Sequence, residues 1–361
     1  MSYNNLMKRV IVGLSGGIDS SFALVLLKEK GYEVIGVSMK IWKGDKIEVR
    51  KKKGGCFGPN EEEDLKDAEK VCKFLGVPYF VFDLSKEYKE EVLDYVKNEY
   101  LSGKTPNPCV FCNSKIKFEL IPYFAKKNGI DFDFFATGHY ARVEKEGERF
   151  VLKKGIDNKK DQSYFLWKLK KEQISKVLFP LGDWRKVDVK NQVKKMKLPI
   201  IEKKESQDFF EGDLNFLLPD FKKGYIKDLE GKIIGEHKGI AFYTIGQRRG
   251  LGVSHTSPLY VTRIAPKENT IYVGEKTSLF RKKFLIKDIN WVSIERPSEP
   301  IDCYVKIRYK HKPAKAKISL NGKNTGLVEF EEEQISITPG QSAVFYEKDI
   351  LLGGAIIDEV L

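Results

Sequence analysis

The stretch Val10-Ile11-Val12-Gly13-Leu14-Ser15-Gly16-Gly17-Ile18-Asp19-Ser20 carries an apolar strand directly into a helix. Val10 to Leu14 is a short apolar run of the kind a buried strand shows. Downstream, Phe22, Ala23, Val25, Leu26 and Leu27 repeat with a helical period, and Gly31 marks the stop. Two glycines at the turn let the backbone come close to an anion, while the free N–H groups and positive dipole end of the helix point at it. Ser15 and Ser20 add hydroxyl donors. A carboxylate at Asp19 would repel a bare phosphate, so its expected work is to hold a Mg²⁺ that accompanies one.

Strands and helices alternate outward from this unit. Val34 to Met39 reads as a second strand, followed by a lysine-rich loop over about 43–59 and a helix over 61–75 stopped by Gly76. Pro78 to Phe82 is a third strand, and a helix is expected over 87–101. A further helix over 114–127 should kink at Pro122, and Phe132 to Thr137 forms another strand that ends at Gly138-His139-Tyr140. Such a βαβα series requires a doubly wound parallel sheet with helices on both faces. Ligands of these sheets bind beyond the carboxyl ends of the strands, where Gly13 to Ser20, Met39 and Gly138 all fall. A hairpin turn is read at 144–147. From about Lys283 short alternating strands, with turns expected at Asn321-Gly322, Pro339-Gly340 and Gly353-Gly354, read as a small β-barrel or sandwich. The expected domains are 1–205 for the parallel-sheet domain, 206–282 for a small central mixed domain and 283–361 for a C-terminal β-barrel.

The 361 residues are too many for one compact core. No apolar run has the length of a membrane helix, and the first residues lack the apolar core of a signal peptide, so a cytoplasmic location without membrane attachment is expected. Lys plus Arg number 64 against 51 Asp plus Glu, a formal charge of +13, which suits a polyanionic partner. The five cysteines, Cys56, Cys72, Cys109, Cys112 and Cys303, do not form the pattern of a disulfide framework. Cys72, between Val71 and the helix end, is expected to pack in the core, and Cys303 to be structural. His237, His255 and His311 are expected at the surface.

No GxxxxGK[ST] string occurs, and the SGGxDS string after a buried strand resembles the pyrophosphate loop of the ATP pyrophosphatases, which split ATP to AMP and pyrophosphate. Further strings follow in order: Thr105-Pro106-Asn107-Pro108-Cys109-Val110-Phe111-Cys112-Asn113, Lys115-Ile116-Lys117-Phe118, Ala136-Thr137-Gly138-His139-Tyr140-Ala141-Arg142, Asp157 with Lys160-Asp161-Gln162-Ser163-Tyr164-Phe165-Leu166, Leu178-Phe179-Pro180-Leu181-Gly182, Tyr243 to Gly252, Lys306-Ile307-Arg308-Tyr309 and Thr338 to Val344. Together they resemble the tRNA-specific 2-thiouridylases of the pyrophosphate-loop superfamily. The resemblance implies an enzyme that adenylates the wobble uridine of tRNAs for Lys, Glu and Gln at its 2-oxygen and then replaces that oxygen with sulfur from a persulfide or sulfide donor. It implies ATP binding by Gly13, Leu14, Ser15, Gly16, Gly17, Ile18, Asp19, Ser20, Met39 and Gly138. It implies tRNA contacts by Lys160, Asp161, Gln162, Arg308 and Tyr309, and catalysis by Cys112.

The departures are as informative. Many members have Asp where this chain has Cys109, and carry a second catalytic cysteine where the run Glu205-Ser206-Gln207-Asp208-Phe209-Phe210-Glu211 has Phe210. The cysteine pair that would pass the sulfur is therefore incomplete. Cys109-x-x-Cys112 with Cys56 has the composition to bind a [4Fe–4S] cluster through three thiolates. A persulfide relay through Cys56 or Cys109, a redox dithiol and a Zn site remain open beside it. At the level of function, the alternatives are another pyrophosphate-loop ligase acting on RNA and a non-catalytic tRNA-binding homologue.

Overall fold

A computed structural model describes residues 7–44, 55–200, 208–210, 217–218 and 222–361. The chain divides into two compact units, one drawn from Met1–Glu91, Cys109–Asp213 and Asp349–Leu351, the other from Val92–Pro108, Leu214–Lys348 and Leu352–Leu361. The expected boundary at 205/206 lies outside the described residues, as do 205–207 and 211 of the run around Phe210.

The first unit is built on a five-stranded parallel sheet in the spatial order Tyr79–Asp83, Glu33–Lys40, Arg9–Gly13, Phe134–Thr137, Val177–Leu178. Both faces of its central strands are covered, so Val10, Ile11 and Val12 are fully buried, which is why that run is apolar without alternation. One face packs Leu14, Leu24, Leu27, Ala68, Val71 and Cys72. On the other side of the helix Ile18–Glu29, Phe22, Ala23 and Val25 pack against Tyr140, Val189 and Val193. Cys72 is a core residue as expected, its thiol pushed up to about 12 by burial.

The helix expected over 114–127 begins earlier and is wound differently. An α-helical turn, Pro108–Phe111, leads into a π-helical stretch, Cys112–Leu120, and α-helix resumes at Ile121–Lys127. Both thiols of the CxxC string therefore sit on a helix rather than in a loop. Pro122 stands just after the π-helical stretch, and Leu120 and Ile121 before it keep right-handed helical backbone, so the proline lies inside one continuous helical run.

The second unit holds a four-stranded mixed sheet, Ile233–His237, Gly224–Lys227, Thr270–Gly274, Tyr260–Ala265, around Ile226, Val261, Ile271 and Val273. Its other part is a closed barrel. Phe280–Trp291 pairs with Thr325–Ile335 on one side and with Ile350–Val360 on the other, and Ala314–Leu320, Ile301–Lys306 and Ser342–Glu347 complete the ring. Closure leaves the barrel strands without an unpaired edge. Gly353-Gly354 is not a turn but lies inside the last strand, paired with Trp291 and Asn290. Two histidines expected at the surface are buried: His237 accepts the Gly239 N–H on Nδ1 at 3.1 Å, and His311 meets Gln334 at 3.0 Å. Cys303 lies buried on a barrel strand.

Candidate functional site

The strand Arg9–Gly13 and the helix Ile18–Glu29 meet in a loop that is tied to itself. Ser15 donates its N–H to Ser20 Oγ at 3.1 Å, and the hydroxyls of Ser20 and Ser21 donate to Gly17 O at 3.2 and 2.9 Å. Gly17 caps the helix with no side-chain acceptor, so the first-turn N–H groups of Ile18, Asp19 and Ser20 have no intrahelical acceptor and face outward as anion donors. Gly16 adopts φ +68°, and a Cβ there would run into the Asp64 carbonyl. Gly138 approaches from the neighbouring strand end. A Cβ on it would lie 2.7 Å from Ser20 N and 2.8 Å from Asp19 C. Met39 is half-buried at the end of Glu33–Lys40.

Asp19 has company that the motif does not reveal. Tyr140 donates its hydroxyl to Asp19 Oδ1 at 2.8 Å, and Lys186 Nζ donates to both carboxylate oxygens at 2.7 and 2.6 Å. Lys186 opens the helix Lys186–Lys195 and is 8% exposed; its own N–H donates to Asp157 Oδ2 at 3.0 Å. A cation in the first turn of a helix opposes the dipole. That misplacement is the sequence signal for an anionic partner, and it was available in Trp184-Arg185-Lys186. A phosphate chain on this loop meets outward N–H groups, hydroxyls and a buried ammonium, a donor set that fits a nucleotide polyphosphate.

The thiols Cys56, Cys109 and Cys112 belong to the same unit. Cys112 is buried, and burial pushes its pKa up to about 11, with Lys117 pulling it down and Cys56 pushing it further up. Cys56, whose distance from the CxxC string could not be read from the sequence, thus lies within electrostatic reach of Cys112. It sits exposed on the short strand Gly55–Phe57. That strand pairs in parallel with Asp208–Phe210, Phe57 opposite Phe210. Phe57 stacks on Tyr88 at 5.3 Å, meets Trp42 edge-on at 4.9 Å and lies 6.0 Å from the Phe210 ring. Phe210 is therefore a packing residue, and Cys56, adjacent to Phe57 along the strand, turns to the opposite face.

Lys117 stands among these sulfurs. Burial works against its charge, but Cys112, Cys56 and Cys109 more than offset that and hold its pKa above the usual lysine value. His139 also feels this charge: its pKa is driven down by burial first and by Lys117 second. His139 Nδ1 meets Thr137 Oγ1 at 2.7 Å, and its ring packs on Phe118 and Phe179. His139 follows Gly138, so Lys117 is coupled electrostatically both to the thiols and to the residue next to the nucleotide loop.

Among the described residues no group of three or more His, Cys, Asp or Glu side chains is arranged to hold a metal ion. The cysteines expected to bind a [4Fe–4S] cluster, Cys56, Cys109 and Cys112, do not form such a group. Of these three expected ligands, Cys112 is buried, Cys109 is half-buried and Cys56 is exposed on a separate strand.

The remaining sequence candidates divide by role. Asp161 is buried, and its carboxylate accepts from Gly155 N, Ser163 N and Ser163 Oγ at 3.1–3.2 Å, so it organises its own loop. Gln162 accepts the Tyr140 N–H at 3.0 Å, and Lys160 is half-buried beside it. In the second unit Arg308 donates to Ile335 O at 3.0 Å, and Lys306 Nζ lies 5.6 Å from the Tyr309 ring.

Comparison with known proteins gives three consecutive family matches: a tRNA methyl transferase HUP domain over residues 8–210, a tRNA methyl transferase PRC-barrel domain over 214–275 and an aminomethyltransferase β-barrel domain over 281–357. A tRNA-specific 2-thiouridylase MnmA from Clostridioides difficile is 43% identical, covering 98% of this chain and 99% of its own. The protein of the same name from Endomicrobium trichonymphae is 44% identical over 97% of this chain and 98% of its own. Among solved structures, an NMN synthetase from Francisella tularensis overlaps 53% of this chain and 62% of its own at a TM-score of 0.32 and 16% identity, too distant to carry an argument.

Proposed function

The chain belongs to the tRNA-specific 2-thiouridylases, sulfurtransferases acting on tRNA uridine, and from that premise we propose that it activates the 2-oxygen of the wobble uridine with ATP and replaces it with sulfur through Cys112 and Cys56. A carbonyl oxygen is a poor leaving group until it carries AMP, which is what the nucleotide loop provides. The uridine 2-oxygen attacks the α-phosphorus, and the bond to pyrophosphate breaks with its electron pair leaving on pyrophosphate. The loop residues Gly13 to Ser20, with Gly138 and Met39, seat the nucleotide, and Lys186 neutralises phosphate charge. Magnesium carried in with ATP would be held by Asp19 and would supply further neutralisation at the phosphates.

The sulfur half uses the thiols. A small-molecule or protein persulfide transfers its outer sulfur to Cys112, leaving as a thiol. The outer sulfur of the Cys112 persulfide, as an anion, adds to C2 of the adenylated base. The Cys56 thiolate then attacks Cys112 Sγ and the S–S bond breaks. Its electron pair returns to the sulfur on C2, which becomes the thiocarbonyl as AMP departs. A Cys56–Cys112 disulfide remains, and an external thiol reductant resets it. What supports this reading is the electrostatic coupling of Cys56 to Cys112, together with the pairing of the Cys56 strand to the one where Phe210 stands in place of the usual second cysteine.

Lys160, Gln162, Arg308 and Tyr309 are proposed to contact the tRNA, with tRNAs for Lys, Glu and Gln as substrates. Residues 1–205 are taken as the catalytic domain, 206–282 as a central tRNA-contacting domain and 283–361 as the barrel. The test is thiolation of a wobble-uridine tRNA by anaerobically purified protein with ATP and a persulfide donor, with iron assayed alongside. Formation of 2-thiouridine, AMP and pyrophosphate without iron, and its loss in Cys56→Ser but not Cys109→Ser, is the expected result. About four iron atoms per chain, with activity lost on stripping them, would overturn the thiol relay. Absence of any tRNA-dependent AMP release would overturn the activity itself.

A further inference from the structure

We propose that Lys117 is the positioning cation of the sulfur half-reaction, held over Cys112 by the π-helical winding of Cys112–Leu120, where it fixes the anionic sulfur that Cys112 carries. The proposal rests on the thiolation reading above and assigns it a residue that neither the thiol pattern nor the nucleotide loop reveals.

The geometry begins with the helix. In an α-helix the fifth residue on from Cys112 would stand roughly 140° around the axis, facing away from it. The π-helix bonds i to i+5, as Ile121 N–H does to Ile116 O at the end of this stretch. That winding brings residue 117 back over residue 112, and the two side chains share a side. π-helical turns are less well packed than α-helical ones and are kept where a side chain must be re-aimed. Here the re-aimed group is an ammonium.

The surroundings fix what that ammonium serves. Among the described residues no carboxylate forms an ion pair with Lys117, and the charges that favour its protonated form are three thiols, Cys112, Cys56 and Cys109. A half-buried lysine normally sits against an acid. This one sits against groups that become anionic only during sulfur transfer. A persulfide on Cys112 is more acidic than the thiol, so the sulfur arrives as an anion in a buried place where water cannot solvate it. Lys117 supplies the compensating charge there. It takes no proton and forms no bond, and acts by holding the terminal sulfur in line with C2.

The experiment separates the two half-reactions. Lys117→Met and Lys117→Arg are compared with the wild type for first-turnover, tRNA-dependent pyrophosphate release and for 2-thiouridine formation from a persulfide donor. Lys117→Met should lower thiolation on the order of 10²-fold, as removal of one pre-placed electrostatic group does, while pyrophosphate release stays within about 2-fold; Lys117→Arg, which keeps the charge, should recover thiolation to within about 10-fold. Iodoacetamide labelling of Cys112, read by mass spectrometry, needs neither ATP nor tRNA, and should slow about 10-fold in Lys117→Met. Thiolation near the wild-type rate in Lys117→Met overturns the proposal. So does equal loss of both half-reactions in both variants, which would make Lys117 a structural or nucleotide-site residue. Failure of the wild type to thiolate would instead refute the proposed activity, and unchanged Cys112 labelling in Lys117→Met would still refute the role of Lys117 independently.

Discussion

Gly138→Ala tests whether the nucleotide loop works by its shape. The added Cβ would lie 2.7 Å from Ser20 N, 2.8 Å from Asp19 C and 3.0 Å from Asp19 O. All three are backbone atoms, so no side chain can rotate away. Ordinary contact begins near 3.4 Å; the loop must therefore retreat by about 0.7 Å, more than the roughly 0.5 Å within which a catalytic constellation stays productive. Ser20 N is one of the first-turn donors, so the retreat moves the anion site itself. A displacement of this size costs on the order of 10²-fold in rate, and overpacking costs about 1–3 kcal/mol in stability. The assay is kcat/KM for ATP in tRNA-dependent AMP release, with a thermal melt on the same preparation. Gly17→Ala is the control for stability, because its Cβ meets nothing nearer than Ser15 Oγ at 3.5 Å and its φ of −96° suits any residue. A Gly138→Ala protein with wild-type kcat/KM would refute the claim that backbone contact between this strand end and the helix start sets the site.

Asp19→Ala removes the partner of Lys186 and the proposed magnesium carboxylate together, so first-turnover AMP release should fall by at least about 10²-fold; normal ATP turnover would remove Asp19 from the mechanism. Cys112→Ser should abolish thiolation while tRNA affinity, by filter binding, stays within about 2-fold, since one buried thiol contributes little to a polyanion interface. Phe210→Cys, which restores the residue usual in the family, should not raise activity: the side chain belongs to the Trp42, Phe57 and Tyr88 group, and truncating it should lower stability by about 2–4 kcal/mol in denaturant titration. His311 has its pKa lowered to about 4 by burial first, with Arg308 and Lys306 adding to it. Its folded value lies below the unfolded one near 6.5. Its contribution is therefore full above pH 6.5 and is lost as pH falls toward 4, by about 2 kcal/mol at pH 5. Melting at pH 7.5 and pH 5 should show that loss, and His311→Gln should reduce it.

The parallel sheet was legible because its evidence is local. An apolar run, a glycine turn and a helical period sit next to one another, and burial of Val10 to Val12 on both faces leaves no polar residue to confuse the reading. The barrel strands were legible by alternation and turn residues. The errors fall where geometry depends on distant partners. Gly353-Gly354 has the composition of a turn, yet it runs inside a strand because Asn290 and Trp291 pair with it. His237 and His311 are polar in composition but find buried partners in Asn269 and Gln334, and no neighbour in sequence announces either. The helix starts at Pro108, ahead of the expected 114, and a proline is welcome in a first turn.

At the site the same division has a chemical consequence. Gly16 and Gly138, proposed to meet the nucleotide through backbone, leave a trace in the sequence because a Cβ at either position would strike neighbouring backbone. Lys186 and Lys117 act by charge across space, and any helix could have supplied them. Each nevertheless breaks a local rule: Lys186 puts a cation at a helix start, and Lys117 sits half-buried among thiols with no ion-pair partner among the described residues. Both violations are unfavourable in the resting protein unless an anion is nearby. For Lys186 that anion is Asp19 now and phosphate during turnover. For Lys117 no fixed anion is present among the described residues, and the proposal supplies one as the sulfur charge that exists only while the reaction runs. On the proposed reading the two lysines divide the chemistry between them, Lys186 serving activation of the oxygen and Lys117 the arrival of sulfur, and a variant of either should stop its own half-reaction first.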